Sequence, residues 1–402
     1  MIAFSQESDN LSLTAHIREA IAQAPDKRLT FARFMEMALY YPGEGYYTHR
    51  GGLLGARGDF YTAPHLAPLF GQLIARQLIE FWRNLGEPAA FQIVEGGAGQ
   101  GLLAGDILSY LRQHAPELWP GLTYTIVEIS EPLRLAQRRR ISAIPDGPEL
   151  IARVNWRDLT DFKPGEVEGV ILSNELLDAF PVHLVTIESG ELREIYVTTD
   201  PESGQFIETT GPLSTQELAR YFERLGLDLR EYAEGYRTEV NLGALDWLSQ
   251  AAAILGRGYI LTIDYGYTVE KRYHPLRRSG TLQCYTAHTV HANPYVNIGT
   301  QDITAHVDFT SLMQVGEKSG LTTEGFSNQA LFLSGLGLGD RLAVLSDPVV
   351  RPPGMTTKQK LAEREALHRL INPNGMGNFG VLIQSKNIPS SALPLTGLSL
   401  KL

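Results

Sequence analysis

The feature that most constrains the fold is the run Glu95-Gly96-Gly97-Ala98-Gly99-Gln100-Gly101, set between a short apolar stretch, Phe91 to Glu95, and a helical stretch, Leu102 to Leu111. Glycines at a strand-to-helix junction let the backbone turn tightly and let a ligand approach where a Cβ would block it. The same alternation continues. Strands are expected at Tyr124 to Glu128, Ile151 to Val154, Gly169 to Ser173 and Tyr259 to Asp264, with helices at Leu133 to Arg140 and Leu242 to Leu255. A helix from Phe309 to Lys318 and a strand near Phe379 to Gln384 close the chain. Strands alternating with helices argue for an α/β fold built of βαβ units around a mainly parallel sheet.

Two regions depart from this rhythm. Before residue 91, Leu13, Ile17, Ile21 and then Phe31, Phe34, Met35, Leu39 repeat at helical spacing, around the glycine- and tyrosine-rich loop Tyr40 to Tyr47. Between about Pro181 and Asn241 the pattern around Leu184 to Ile187 and Glu194 to Val197 alternates as strands do, and Glu217 to Leu229 reads as a helix. The expected organisation is therefore an N-terminal helical cap and lid over 1–90 and a sheet domain over 91–402 with an insertion at about 181–241.

Composition excludes several classes. At 402 residues the chain is long enough for more than one unit, and its apolar and aromatic content supports a packed core. The single cysteine, Cys284, rules out an internal disulfide and a cysteine-based zinc site, and it reads as packed rather than reactive. A net charge of -10 disfavours binding to phosphate backbones, which draws on Lys and Arg. No apolar stretch approaches the roughly 20 residues that span a bilayer. Met1 to Asn10 lacks the basic, apolar pattern of a targeting peptide, so a cytoplasmic setting is expected.

The glycine run fits two cofactor patterns: G-x-G-x-x-A of a dinucleotide site, from Gly99 to Ala104, and acidic-x-G-x-G-x-G of an S-adenosylmethionine (SAM) site, from Glu95. Glu95 favours SAM, because a carboxylate there can bond the ammonium of the cofactor's methionine part and would repel a pyrophosphate. A tight turn beside a satisfied carboxylate is the plainer alternative. Glu128 ends the next strand, where an acid can accept both ribose hydroxyls, with Ile129 beside it. Trp156, after the third strand, is placed to stack on adenine or to pack. Asn174-Glu175-Leu176-Leu177-Asp178 follows the fourth strand, on the edge where open α/β sheets bind ligands. Glu175 and Asp178 suit a grip on a guanidinium and removal of its proton, with Asn174 at the cofactor; helix capping is the competing reading. The absence of prolines and an aromatic here speaks against a flipped-base substrate.

Further motifs complete the pattern: Gly58-Asp59-Phe60-Tyr61-Thr62-Ala63-Pro64 with Phe70-Gly71; Val127-Glu128-Ile129-Ser130 with Leu133-Arg134 and Gln137; Ile263-Asp264-Tyr265-Gly266; Gly280-Thr281-Leu282; and Asp302 to Phe309. In this order they resemble the MidA-type SAM-dependent methyltransferase family over about Leu29 to Gly337. The resemblance implies a class I methyltransferase fold with a Rossmann-like seven-stranded sheet, SAM as methyl donor, and a protein substrate. Its mitochondrial members are protein-arginine methyltransferases of complex I assembly. That implies ω-N symmetric dimethylation of an arginine in the large hydrogenase-like subunit of a complex I type NADH dehydrogenase. A SAM-binding assembly chaperone without turnover and a small-molecule methyltransferase are the alternatives. Three positions depart from the family: Ala98 and Gln100 stand where a proline and an arginine are usual, and His65 where a glutamate is.

Gly58, Asp59, Phe60 and Thr62 can form a lid that keeps water from the methyl group, and Tyr265 can contact substrate. His306 with Asp308 can form a base and its orienter, although Asp308 also suits a helix N-cap. His288 and His291 lack a third ligand, so no metal is expected. Arg138 to Arg140 reads as a solvated helix face.

Overall fold

A strand buried on both faces must be apolar in both directions, and Val167–Asn174 meets that demand with Val170, Ile171 and Leu172 fully buried. It is the central strand of a seven-stranded sheet. In chain order the strands are β1 (Phe91–Gly96), β2 (Leu122–Val127), β3 (Val154–Trp156), β4 (Val167–Asn174), β5 (Leu255–Asp264), β6 (Thr322–Asn328) and β7 (Gly380–Lys386). Their spatial order is β6-β7-β5-β4-β1-β2-β3. β1 to β5 pair in parallel, and β7 runs antiparallel between β5 and β6. Register places Glu95 beside Ile126 of β2 and Leu172 of β4, and Asn174 beside Ile263 of β5. The strand order reverses at β1, so the carboxyl ends of β1 and β4 flank the topological switch point where such sheets take their ligands.

The computed structural model describes residues 10–49, 62–286, 289–350 and 354–400. Gly58, Asp59, Phe60 and His288 lie outside the described residues. The chain folds into two compact units: one of 1–60, 177–246 and 267–312, the other of 61–176, 247–266 and 313–402. This division differs from a boundary at residue 90. Helix α1 (Leu69–Asn84) belongs with the sheet, because Phe70, Leu73, Ile74, Leu78 and Phe81 are buried in its core. It lies so close to helix α2 (Leu102–His114) that a Cβ on Gly71 would come within 2.5 Å of Asp106 Cβ. Helix α3 (Glu131–Ala143) starts at Ser130, whose side chain caps the Leu133 amide.

The other unit buries Leu13, Ile17, Ile21, Phe31, Phe34, Met35 and Leu39 as the helical spacing requires. Its five-stranded sheet takes Leu29–Thr30 from the N-terminal region together with His183–Glu188, Glu191–Thr199, Phe206–Gly211 and Arg237–Val240. The segment 267–312 also belongs here and carries a three-stranded sheet, Gln283–Thr286, Thr289–His291 and Asp302–Thr304. Two local expectations are corrected, and one strand is additional. Gly147–Ile151 is helical, and the third strand begins only at Val154; Asp146 and Gly147-Pro148 open a helix there. The helix expected to run to Leu229 ends at Arg224, with a separate turn at Leu229–Glu231. β6 was not foreseen, since Thr322 to Asn328 is mostly polar and lies at the sheet edge.

Candidate active site

The glycine run leaves the carboxyl end of β1 and enters α2. Gly97, Gly99 and Gly101 all have positive φ, at 63°, 52° and 79°. At Gly97 a Cβ would approach Leu176 Cδ1 to 2.6 Å, and at Gly101 it would lie 3.1 Å from Gln137 Cα. The loop is thus pressed between the segment after β4 and helix α3, and glycine is required by both conformation and space.

Glu95 is buried at the end of β1, and its Oε2 accepts a hydrogen bond from the Tyr124 hydroxyl at 2.8 Å. Burial pushes its pKa up to about 7, the Tyr124 bond pulls it down, and the charge of Glu128 adds to the rise. Glu128 is also buried, and burial raises its pKa. Its carboxylate accepts from the Ser130 amide at 2.9 Å and from Gln137 Nε2 at 3.2 Å. Ile129, next to it, is 68% exposed. Trp156 donates from Nε1 to Gln137 Oε1 at 2.8 Å, and the Arg138 guanidinium lies over its ring at 3.8 Å. One face of the indole is therefore taken by a cation within the protein.

At the end of β4, Asn174 Nδ2 donates to Glu175 Oε1 at 3.2 Å, and the Ala63 amide donates to the same oxygen at 3.1 Å. Asn174 Oδ1 is buried without a hydrogen-bond partner among the described residues. Glu175 has φ of 51°, a left-handed conformation rare for a residue with a side chain. Its amide donates to the Ile263 carbonyl at 2.8 Å, and the next amide, Leu176, donates to the buried Asp264 at 3.2 Å. The turn after β4 is thereby held by β5 and rests against the cofactor loop through Leu176. Nearby, Thr62 Oγ1 lies 2.7 Å from His65 Nδ1, and burial, then Arg140, lower the His65 pKa.

The structure thus brings Glu95, Gly97, Gly99, Gly101, Glu128, Ile129, Trp156, Asn174, Glu175 and Thr62 into one unit, on or beside the carboxyl edge of its sheet. Tyr265 belongs to it too, with its ring 4.9 Å from that of Phe379. Asp178 and His306 fall in the other unit. There the buried Asp178 accepts from the Ala305 amide through its backbone carbonyl. The expected partnership of His306 with Asp308 is corrected. The Asp308 carboxylate accepts from Tyr221, Ser311 and Thr310 and caps the helix beginning at Phe309, while burial lowers the His306 pKa to about 4. Cys284 is buried, and burial pushes its thiol up to about 12. Gln137 and Tyr124 are the site residues to which sequence reasoning gave no role. Gln137 carried a signal nonetheless: it shares with Leu133 and Ile141 the buried stripe of α3.

The residues fit SAM. The glycine cradle leaves little room for a Cβ, two buried carboxylates stand at the ends of β1 and β2, and Asn174 presents an acceptor that has no partner among the described residues. The sheet order and this site define a class I SAM-dependent methyltransferase. Comparison with known proteins agrees: residues 73–327 match the model of an S-adenosyl-L-methionine-dependent methyltransferase family. The chain belongs to that MidA-type family. It is 30% identical over 367 residues to the mitochondrial protein arginine methyltransferase NDUFAF7 of Mus musculus, covering 87% of this chain and 79% of that one. Against the Bos taurus protein of the same name it is 28% identical over 405 residues, covering 96% and 87%. A Burkholderia thailandensis crystal structure bound to S-adenosyl-homocysteine is 34% identical, with a TM-score of 0.83, covering 97% of this chain and 95% of that one.

Proposed function

We propose that the protein methylates arginine in a protein substrate, by ω-N symmetric dimethylation, and that this substrate is the large hydrogenase-like subunit of a complex I type NADH dehydrogenase. The observation that carries the arginine reading is the 30% identity over 87% of the chain to a relative named as a protein arginine methyltransferase. The turn after β4 supports it, since a carboxylate at Glu175 is held beside the cofactor loop by Ala63, Asn174 and Leu176.

Bound SAM supplies a methyl group on a sulfonium, which departs as the neutral thioether. Gly97, Gly99 and Gly101 receive its methionine part, with Glu95 at the ammonium. Glu128 accepts the ribose hydroxyls, and Ile129 and Trp156 border the adenine. Glu175 accepts hydrogen bonds from the guanidinium, favouring its approach, and takes the proton released as nitrogen gains the methyl. Fixing the two reactants in line can account for roughly 7–11 kcal/mol of the barrier.

The test is to incubate the purified protein with methyl-labelled SAM and that subunit and to map the label by mass spectrometry. Symmetric dimethylarginine is the expected product. Bound SAM with label on no arginine would remove the arginine reading, and monomethylarginine alone would remove the dimethylation.

A further inference from the structure

The side chain of Gln137 is fully buried, and each of its polar atoms is committed. Its Oε1 accepts from Trp156 Nε1 at 2.8 Å, and its Nε2 donates both to the Gly99 carbonyl at 2.8 Å and to Glu128 Oε2 at 3.2 Å. An indole N–H can only donate, so it fixes which end of the amide carries the oxygen. That choice turns the NH2 group toward the two acceptors. Trp156 is itself held by Arg138, the next residue along α3, over its ring.

We propose that Gln137 is a positioning residue that sets the geometry of Glu128 toward the ribose of SAM and makes that geometry part of SAM recognition. The inference rests on the reading of Glu128 as the ribose acceptor. Glu128 lies in the first residues after β2, where its other oxygen takes the Ser130 amide, and Arg134 bonds its backbone carbonyl rather than its carboxylate. Among the described residues, Gln137 is the side chain that donates to the carboxylate. Each carboxylate oxygen keeps a lone pair beyond these bonds, so the carboxylate can accept a pair of vicinal hydroxyls once its plane is set. Because the same NH2 group holds the Gly99 carbonyl, it also sets the distance between the ribose acceptor and the glycine cradle. A glutamate here would face Glu128 with a second acceptor, and a methionine would leave both Glu128 Oε2 and Gly99 without this donor.

The experiment measures calorimetric Kd for S-adenosylhomocysteine and for its 2′,3′-dideoxy analogue on the full chain, for the native protein, Gln137→Met and Glu128→Gln. With the Glu128 carboxylate no longer held for the ribose, Kd for S-adenosylhomocysteine is expected to weaken by about tenfold in Gln137→Met. For the dideoxy analogue the same variant is expected to lose clearly less, since only its hold on Gly99 is then missing. Equal losses for both ligands would overturn the proposal, since they would mean Gln137 acts on the loop or the fold alone. If Glu128→Gln leaves both affinities unchanged, the ribose reading of Glu128 is what fails. If Glu128→Gln weakens binding and Gln137→Met does not, the Gln137 proposal fails alone. Should Gln137→Met not fold, Gln137→Glu keeps the length of the side chain and replaces the donor to Glu128 by a second acceptor. It is then expected to weaken S-adenosylhomocysteine more than the dideoxy analogue, and an equal effect on both overturns the proposal.

Discussion

Tyr124 and Glu95, on neighbouring parallel strands, share a buried hydrogen bond of 2.8 Å. A carboxyl there is held near neutrality by burial, with its pKa pushed up to about 7. A cation brought next to it shifts the balance toward the carboxylate. SAM affinity is therefore expected to rise with pH to about 7 and then level off, with proton release on binding below that. Glu95→Gln should flatten the profile and weaken binding at pH 8. Calorimetry in two buffers of different ionisation heat reads both effects, and a native profile without pH dependence would remove the role given to Glu95.

The same group bears on stability, with the opposite sense. Its folded pKa lies above the unfolded value, so its contribution is fullest below about 4.5 and is lost as pH rises to about 7. At 1.36 kcal/mol per unit, this amounts to on the order of 3 kcal/mol. His306, in the other unit, behaves conversely: its pKa is lowered to about 4, so its contribution is present above the unfolded 6.5 and is lost as pH falls toward 4. The two slopes oppose each other within one window, and the native pH profile hides both. Urea unfolding at pH 5 and pH 8 should show Glu95→Gln gaining on the native protein at the higher pH and His306→Asn gaining at the lower.

Glu239 and Arg272 form an ion pair of 2.7 Å with both side chains 2% exposed. Thr281 and Leu282 add three further donors to the carboxylate. Burial would raise the Glu239 pKa, but the charge of Arg272 and the Thr281 bonds hold it below its usual value. Removing one partner leaves a buried charge uncompensated, which costs about 3–5 kcal/mol. Arg272→Met and Glu239→Gln are both expected to lower the unfolding free energy from urea titration by that amount. Because Gly280 has φ of 71° and its Cβ would meet Glu239 Oε1 at 2.0 Å, Gly280→Ala should do the same. A change below 1 kcal/mol in all three would show that this cluster does not hold its unit together.

How far the sequence reveals the fold depends on what each residue must satisfy. The parallel strands are legible in runs such as Val170-Ile171-Leu172, since burial on both faces leaves them little choice. The glycine loop is legible because positive φ at Gly97, Gly99 and Gly101 strongly favours glycine at those positions. Edge strand β6 is hidden, since Thr322 to Asn328 needs few apolar side chains. The assignment of 267–312 to the unit that holds the N-terminal helices is hidden for a different reason. It depends on contacts between segments far apart in sequence, such as the Tyr47 hydroxyl donating to Asp302 at 2.9 Å. In the site, carboxylates at strand ends are visible by position, whereas the amide of Gln137 reaches Glu128 from the buried face of α3.

The left-handed Glu175 sets stability against function at a single residue. A φ of 51° costs a residue with a Cβ roughly 1–2 kcal/mol, and glycine adopts it freely. Glu175→Gly should relieve that strain, although it removes the acceptor of the Ala63 amide and of Asn174. Glu175→Gln keeps the backbone strained and retains an acceptor while losing the negative charge. If Glu175 takes the guanidinium's proton, both variants should bind SAM within about twofold of the native protein and lose methyl transfer by roughly 10²–10⁴-fold. The glycine variant should be the more stable of the two by up to about 1 kcal/mol, once the lost hydrogen bonds are set against the relieved strain. Single-turnover transfer at saturating SAM, run alongside thermal unfolding, separates these effects. Native rates in Glu175→Gln would limit this residue to a structural part in the turn after β4.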